Sequence, residues 1–189
     1  MVNAQMYEEK REIALHECMQ ALRSIDSESV VQYIKMIEKA EKVFFIGVGR
    51  VLLSLKAICK RYAHIGINSV VVGDITEPAI TAKDILIVGS GSGNTLIPLE
   101  IAKKAKEIGA TVIHIGSNPK GSVNEYTDFF LRIPVASKLK NPDEVQSNQP
   151  MTSLFEQSLL LFGDITAAMI LENKQTILDD LWQYHANLE

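Results

Sequence analysis

Cysteine and clustered positive charge are both scarce in this 189-residue chain. Its two cysteines, Cys18 and Cys59, share no close spacing and both fall in helical patterns. That excludes a disulfide framework and a zinc motif and makes them small core residues. No Cys, His or acidic cluster stands at ligand spacing either, so no metal and no other cofactor is expected. Lysine and arginine number 19 against 23 acidic residues, a net charge of −4. They form no run able to displace counterions from a polyphosphate, which excludes nucleic acid as a partner. Apolar runs such as Val43–Ile46 and Ile85–Val88 fall far short of the roughly 20 residues that cross a bilayer. Glu8, Glu9 and Lys10 occupy the place where a secretory signal needs its apolar region. No membrane partner is expected, and the chain is expected to remain in the cytoplasm. Internal repeats and low-complexity segments are missing as well. What is present, 47% hydrophobic and 22% charged residues, is the composition of a folded globular core, at a length that suits one domain over residues 1–189.

Leu15, Cys18, Met19 and Leu22 recur at helical spacing, predicting a first helix that ends near Ser24; Ser27 then caps a second helix carrying Val30, Ile34 and Ile37. Two helices thus fill residues 1–40 before any strand. Five β-branched or aromatic runs follow, at Val43–Gly47, Ser69–Val72, Ile85–Gly89, Thr111–Ile115 and Phe129–Ile133, and read as strands of an α/β core over residues 43–133. Val51, Leu55, Ile58 and Tyr62 make one amphipathic stripe and Ile97, Ile101, Ala105 and Ile108 another, each long enough for a crossover helix. The strands lack polar alternation, as strands buried on both faces do. The expectation is a three-layer α/β sandwich, a five-stranded parallel sheet flanked by helices, with its chemistry on the loops that leave the strands.

Beyond the fifth strand, the irregular stretch Pro134–Pro150 exceeds what a compact domain spends on a connection, which suggests a lid or binding loop. It leads into C-terminal helices over residues 151–188. Leu154–Leu171 is apolar almost all round, with Leu159, Leu160, Leu161, Phe162, Ile165, Met169 and Ile170, and predicts a subunit interface. A last helix over Thr176–Leu188 shows Ile177, Leu181 and Tyr184 on one face.

Gly89-Ser90-Gly91-Ser92-Gly93-Asn94-Thr95 stands directly after a strand and before a helix. Glycines let successive N–H groups converge, the helix adds its positive end, and Ser90, Ser92 and Thr95 add hydroxyl donors, so the loop suits a phosphate better than it suits a plain helix cap. Asn94 stands where a P-loop needs lysine, which argues against ATP or GTP. Gly47-Val48-Gly49-Arg50-Val51-Leu52 starts like a dinucleotide fingerprint but has Leu52 at the third glycine, which argues against NAD. Arg50 on this second turn could clamp the phosphate or a sugar hydroxyl, or could be a solvated surface residue. The best guest is the phosphate end of a small metabolite.

Ser90-Gly91-Ser92-Gly93-Asn94-Thr95 resembles the Ser-x-Ser-Gly-x-Thr signature of sugar isomerase (SIS) domains. Gly47–Arg50, Lys60–Gly66, Val72–Ile80 and Gln149–Glu156 resemble the 6-phospho-3-hexuloisomerase branch of that family, so that the likeness runs from about Val30 to Leu171. The resemblance implies a five-stranded parallel sheet and a homo-oligomer, usually a tetramer. It also implies metal-free isomerisation of D-arabino-hex-3-ulose 6-phosphate to fructose 6-phosphate, the step after formaldehyde fixation in the ribulose monophosphate pathway. Carried over by motif, Ser90, Ser92 and Thr95, with Gly91, Gly93 and Asn94 of the same loop, would bind the phosphate. Gly49 and Arg50 would help hold the sugar, Glu156 would be the base and His64 a helper. Two positions depart from the branch: Val51 stands where serine is usual, and Asn94 where glutamate is.

The residues themselves leave alternatives open. A single carboxylate can move a proton between adjacent carbons through an enediolate, and Glu156 near the start of the apolar helix could do so. Ser153-Leu154-Phe155-Glu156 is equally a capping box, in which the glutamate only satisfies the helix start. His64, with Gly66 just beyond it, could exchange a proton with a sugar hydroxyl or simply complement a helix C-terminus. His114 lies on an alternating strand and reads as a core residue. The alternative functions are a non-catalytic phosphosugar sensor or an isomerase of another sugar phosphate; regulators of the sensor kind carry a helix-turn-helix domain, which the first 40 or so residues do not resemble.

Overall fold

The computed structural model describes residues 1–136, 141 and 143–188. Two helices come first, α1 (Ala4–Arg23) and α2 (Ser27–Ile37). The cap of α2 is Asp26 and not Ser27: the Asp26 carboxylate accepts from the Ser29 N–H at 2.9 Å, one residue earlier than the sequence suggests, because its side chain spans the open first turn. The strands are β1 (Val43–Ile46), β2 (Ser69–Val71), β3 (Ile85–Gly89), β4 (Thr111–Gly116) and β5 (Phe129–Arg132), each within a residue or two of its expected bounds. Helix α3 (Gly49–His64) joins β1 to β2, and α4 (Leu96–Ile108) joins β3 to β4. Pro98 sits in the first turn of α4, where a missing N–H breaks no helical bond. Helix α5 (Ser153–Asn173) closes the core.

All four strand pairings are parallel, in the order β2-β1-β3-β4-β5. Alternate residues face opposite layers. Val43, Phe45, Ile85, Ile87, Ile113, Ile115 and Leu131 pack with α1, α2, α3 and α5. Phe44, Ile46, Leu86, Val88 and Val112 pack with Ala102 and Ala105 of α4 and with Val123 of a 3₁₀ turn over Ser122–Tyr126. This is the three-layer sandwich that the unbroken apolar strands predict. The chain leaves β1 toward β2 and returns to the far side of β1 as β3, so β1 and β3 are neighbours whose following loops diverge. A crevice opens at the C-terminal edge of such a pair.

One expectation changes. The segment after α5 forms a 3₁₀ helix over Leu178–Tyr184 in place of the longer α-helix. Leu181 still packs on the core and Tyr184 lies against Gly66. So short a segment gains too few backbone bonds to sustain an α-helix. Within Pro134–Pro150, Val135 and Val145 form a parallel bridge, while the centre of the expected lid, residues 137–140 and 142, lies outside the described residues. Helix α5 is long and apolar enough to cross a membrane, with a mean hydropathy of 1.5. It is packed instead against α1, α2 and α3, leaving a stripe of Leu161, Ile165 and Met169 about two-fifths exposed.

Candidate functional site

The crevice at β1 and β3 is a cavity of about 360 Å³. The loop after β1 brings Val48, Gly49, Arg50 and Val51; the loop after β3 brings Gly89, Ser90, Gly91, Ser92 and Thr95. Ser117 arrives from the end of β4, and Met151, Thr152, Phe155 and Glu156 from the start of α5. Close packing of α3 on the sheet makes this edge possible. A side chain at Gly89 would meet Leu55 Cδ1 at 2.7 Å, so only glycine lets α3 lie so near the strand ends.

Helices α3 and α4 both start at the cavity, and neither has a side-chain cap: Val48 and Thr95 hold the N-cap positions without a capping bond. Their first N–H groups are therefore donors directed toward the site, as an anion requires. The hydroxyls of the Ser90–Thr95 loop bond among themselves. Ser90 Oγ accepts from the Gly93 N–H at 3.1 Å and pairs with Thr95 Oγ1 at 3.1 Å, and Ser92 Oγ accepts from the Asn94 N–H at 3.3 Å. Gly93 holds the loop in a left-handed turn, φ 67°, with no room for a side chain against Gly121 Cα.

Asn94 and Gly93 do not line the cavity. Asn94 Oδ1 accepts from the Ser122 N–H at 2.9 Å and ties the loop to the 3₁₀ turn. This position, where the sequence departs from the branch it resembles, therefore lies outside the cavity lining. His114, fully buried, supports the same loop: Nε2 lies 2.9 Å from the Ser90 carbonyl and Nδ1 2.6 Å from Asn124 Oδ1. Burial pulls its imidazole below the ordinary value of 6.5, against the opposing pull of Ser90 and Asn124.

Glu156 is 7% exposed. Its carboxylate accepts from Arg50 Nε and, at 2.8 Å, from Thr152 Oγ1. No capping box forms. Ser153 Oγ donates to the Pro150 carbonyl at 2.7 Å, and Glu156, in the first turn of the helix, lines the cavity. Arg50 is likewise not simply a solvated arginine; its side chain is 66% exposed, yet its guanidinium is bound at the site. The structure thus brings together Gly49, Arg50, Ser90, Gly91, Ser92, Thr95 and Glu156. It does not bring His64 to them. His64 ends α3 at the helix terminus opposite Gly49, about 22 Å away along the axis, and stacks on His185 at 5.1 Å between ring centres.

Sequence reasoning missed Thr152 and Ser117. Thr152 stands four residues before Glu156, the spacing that places two side chains on one helix face. Ser117 follows β4 at the same sheet edge as the other loops, and its buried hydroxyl has no hydrogen-bond partner among the described residues. Among those residues no group of three or more His, Cys, Asp or Glu could hold a metal.

An anion cradle and a buried carboxylate in one small cavity suit a phosphorylated metabolite whose carbon-bound protons are moved. The SIS domain family model matches residues 36–163. The 3-hexulose-6-phosphate isomerase of Bacillus subtilis is 34% identical over 175 residues, covering 93% of this chain and 95% of that one. That of Mycobacterium gastri is 34% identical over 165 residues, covering 87% and 82%. A crystal structure from Methanococcus jannaschii, for which a molecular function of 3-hexulose-6-phosphate isomerase was inferred, superposes with a TM-score of 0.83 at 30% identity, over 96% of this chain and 99% of that one.

Proposed function

The chain belongs to the SIS domain family, and on that footing we propose that it interconverts D-arabino-hex-3-ulose 6-phosphate and fructose 6-phosphate. It is a phosphosugar isomerase; the choice of substrate rests on the relatives that carry that activity in their names. The observation that carries the reading is the meeting of Glu156 with the Ser90–Thr95 loop and the uncapped starts of α3 and α4 in a single cavity.

In this reading Ser90, Ser92, Thr95 and the helix N–H groups take the phosphate. The sugar then extends toward Glu156. The carboxylate removes the proton on C2 of the 3-ulose, giving a 2,3-enediolate, and returns a proton to C3, while one proton passes from the C2 oxygen to the C3 oxygen. Arg50, exposed on one side and bonded to Glu156 on the other, can offer its guanidinium to the enediolate oxygens as charge develops there. Val51 contributes apolar wall. His64 can reach this chemistry only from a second copy of the chain. The exposed stripe Leu161, Ile165 and Met169 suits a homo-oligomer, with a tetramer as the expected form.

The test is to incubate the protein with each of the two sugars and follow the carbon positions by NMR. Interconversion supports the assignment. Binding of both sugars with no exchange of C2 or C3 protons with solvent favours a sensor and overturns it.

A further inference from the structure

Glu17 lies on α1, ahead of the residues that the SIS model matches. It is withdrawn from solvent, 5% exposed. Its carboxylate accepts from Ser147 Oγ at 2.7 Å, the Asn148 N–H at 2.7 Å, Asn148 Nδ2 at 3.4 Å and Gln149 Nε2 at 3.0 Å. A buried carboxylate persists only where donors fill its lone pairs, and here one short segment supplies them all. Burial pushes Glu17 up, and these donors outweigh it, holding the carboxyl below its ordinary value of 4.5.

The segment leads directly into the site. The Pro150 carbonyl accepts from the N–H and Oγ of Ser153 and so sets the first turn of α5. Met151, in a left-handed conformation at φ 55°, and Thr152 line the cavity, and Thr152 Oγ1 holds Glu156. Next to Glu17, Cys18 Sγ donates to Gln157 Oε1 at 3.3 Å, so α1 grips the chain on both sides of its entry into α5.

Resting on the isomerase reading, we propose that Glu17 is a positioning residue for Glu156: it latches residues 147–149, and through them keeps Thr152 where it orients the reacting carboxylate. Among the described residues, 147–149 make no hydrogen bond to the Ser90–Thr95 loop and reach Arg50 only through Glu156, so loss of the latch falls mainly on the proton transfer and less on substrate capture. A displacement of about 1 Å at a reacting group costs up to about a hundredfold in rate.

The experiment compares the full-length parent with Glu17→Gln and Glu17→Asp, measuring kcat, KM and amide hydrogen exchange at Asn148. Glu17→Gln is expected to lower kcat by about ten- to a hundredfold, with KM within about threefold. Glu17→Asp should recover part of kcat, and exchange at Asn148 should accelerate in both variants. Should Glu17→Gln fail to fold, the double variant Ser147→Ala/Gln149→Leu removes two of the donors from the other side of the latch, with the same expectation for kcat. Parental kcat in a folded variant overturns the proposal. If the parent isomerises neither sugar, the functional reading falls by itself, and exchange at Asn148 decides the latch: an unchanged rate in Glu17→Gln overturns it.

Discussion

Arg50 and Glu156 are 106 residues apart in the chain, and they meet as an ion pair within one cavity. The pair is asymmetric: the arginine side chain is 66% exposed and the glutamate 8%. The carboxylate is therefore anchored, by packing and by Thr152, while the guanidinium can turn toward a ligand without losing its place on α3. One group is built to hold its position and the other to respond to charge, a division that suits an enediolate forming beside a fixed base.

Removing the proposed base, Glu156, tests this directly. Glu156→Gln keeps the shape of the side chain and its bond from Thr152 Oγ1, and should lower turnover of fructose 6-phosphate by about 10²- to 10⁴-fold. The NMR assay on purified protein measures it. Parental turnover in this variant would remove Glu156 from the chemistry.

Ser90 tests the anion cradle. Ser90 lines the cavity, and its hydroxyl accepts from the Gly93 N–H and pairs with Thr95. Ser90→Ala should raise KM about tenfold, or about 1.4 kcal/mol of substrate affinity, with a smaller effect on kcat. A KM for fructose 6-phosphate equal to that of the parent would place the phosphate elsewhere.

Away from the site, three buried hydroxyls form a relay. Thr166 donates to the Gly163 carbonyl at 3.0 Å, which leaves Tyr62 to donate to Thr166 at 2.8 Å and Tyr33 to donate to Tyr62 at 3.1 Å. Burial pushes Tyr62 up to about 12. Tyr62→Phe leaves the Tyr33 O–H without its acceptor and should cost about 1–3 kcal/mol in urea denaturation, with little change in activity. A loss below about 0.5 kcal/mol would mean that the relay does not hold α5 to α2 and α3.

Acid should loosen the fold in a definite window. Glu17 and Asp84 are both buried, which raises them, yet hydrogen bonds hold both below their ordinary values of 4.5 and 3.8; for Asp84 the donors are Lys42 and Thr81. A carboxylate depressed in the folded state binds fewer protons there than in the unfolded chain. Its stabilisation is complete above the unfolded value and disappears as pH falls through the folded one. Unfolding midpoints in urea should therefore stay level down to about pH 5 and fall below it. Asp84→Asn, at the opposite edge of the sheet from the cavity, should be less stable at pH 7 and show a shallower fall.

Much of the arrangement was legible in the chain itself. The runs Val-Phe-Phe-Ile and Ile-Leu-Ile-Val specify strands buried on both faces, because alternate side chains must each find an apolar layer. The Gly-Ser loop after β3 is readable as an anion cradle because its conformation depends on residues within a few positions of one another. Glu156 was ambiguous for the opposite reason. A capping box and a carboxylate turned to an ion pair share one local pattern, and the partner seen in the structure, Arg50, arrives from a distant turn. Asn94 looked like a ligand contact because the loop was read as a string; its bond to Ser122 requires the 3₁₀ turn to fold back beneath it. His64 sat in a segment resembling the related enzymes, while its distance from the cavity follows from the length of α3.

The order of apolar, glycine and hydroxyl residues determined the elements, the parallel sheet and the turn of the Gly-Ser loop, since each depends on forces acting within a turn or two of the backbone. Only the tertiary structure decided which carboxylate meets that loop, that Arg50 pairs with it, and that Glu17 on the first helix grips the segment leading into the site. The Arg50–Glu156 and Glu17–Ser147 contacts join residues separated by a hundred positions or more, and nothing in local sequence encodes a distance that arises only when β1 and β3 lie side by side and α1 folds across α5.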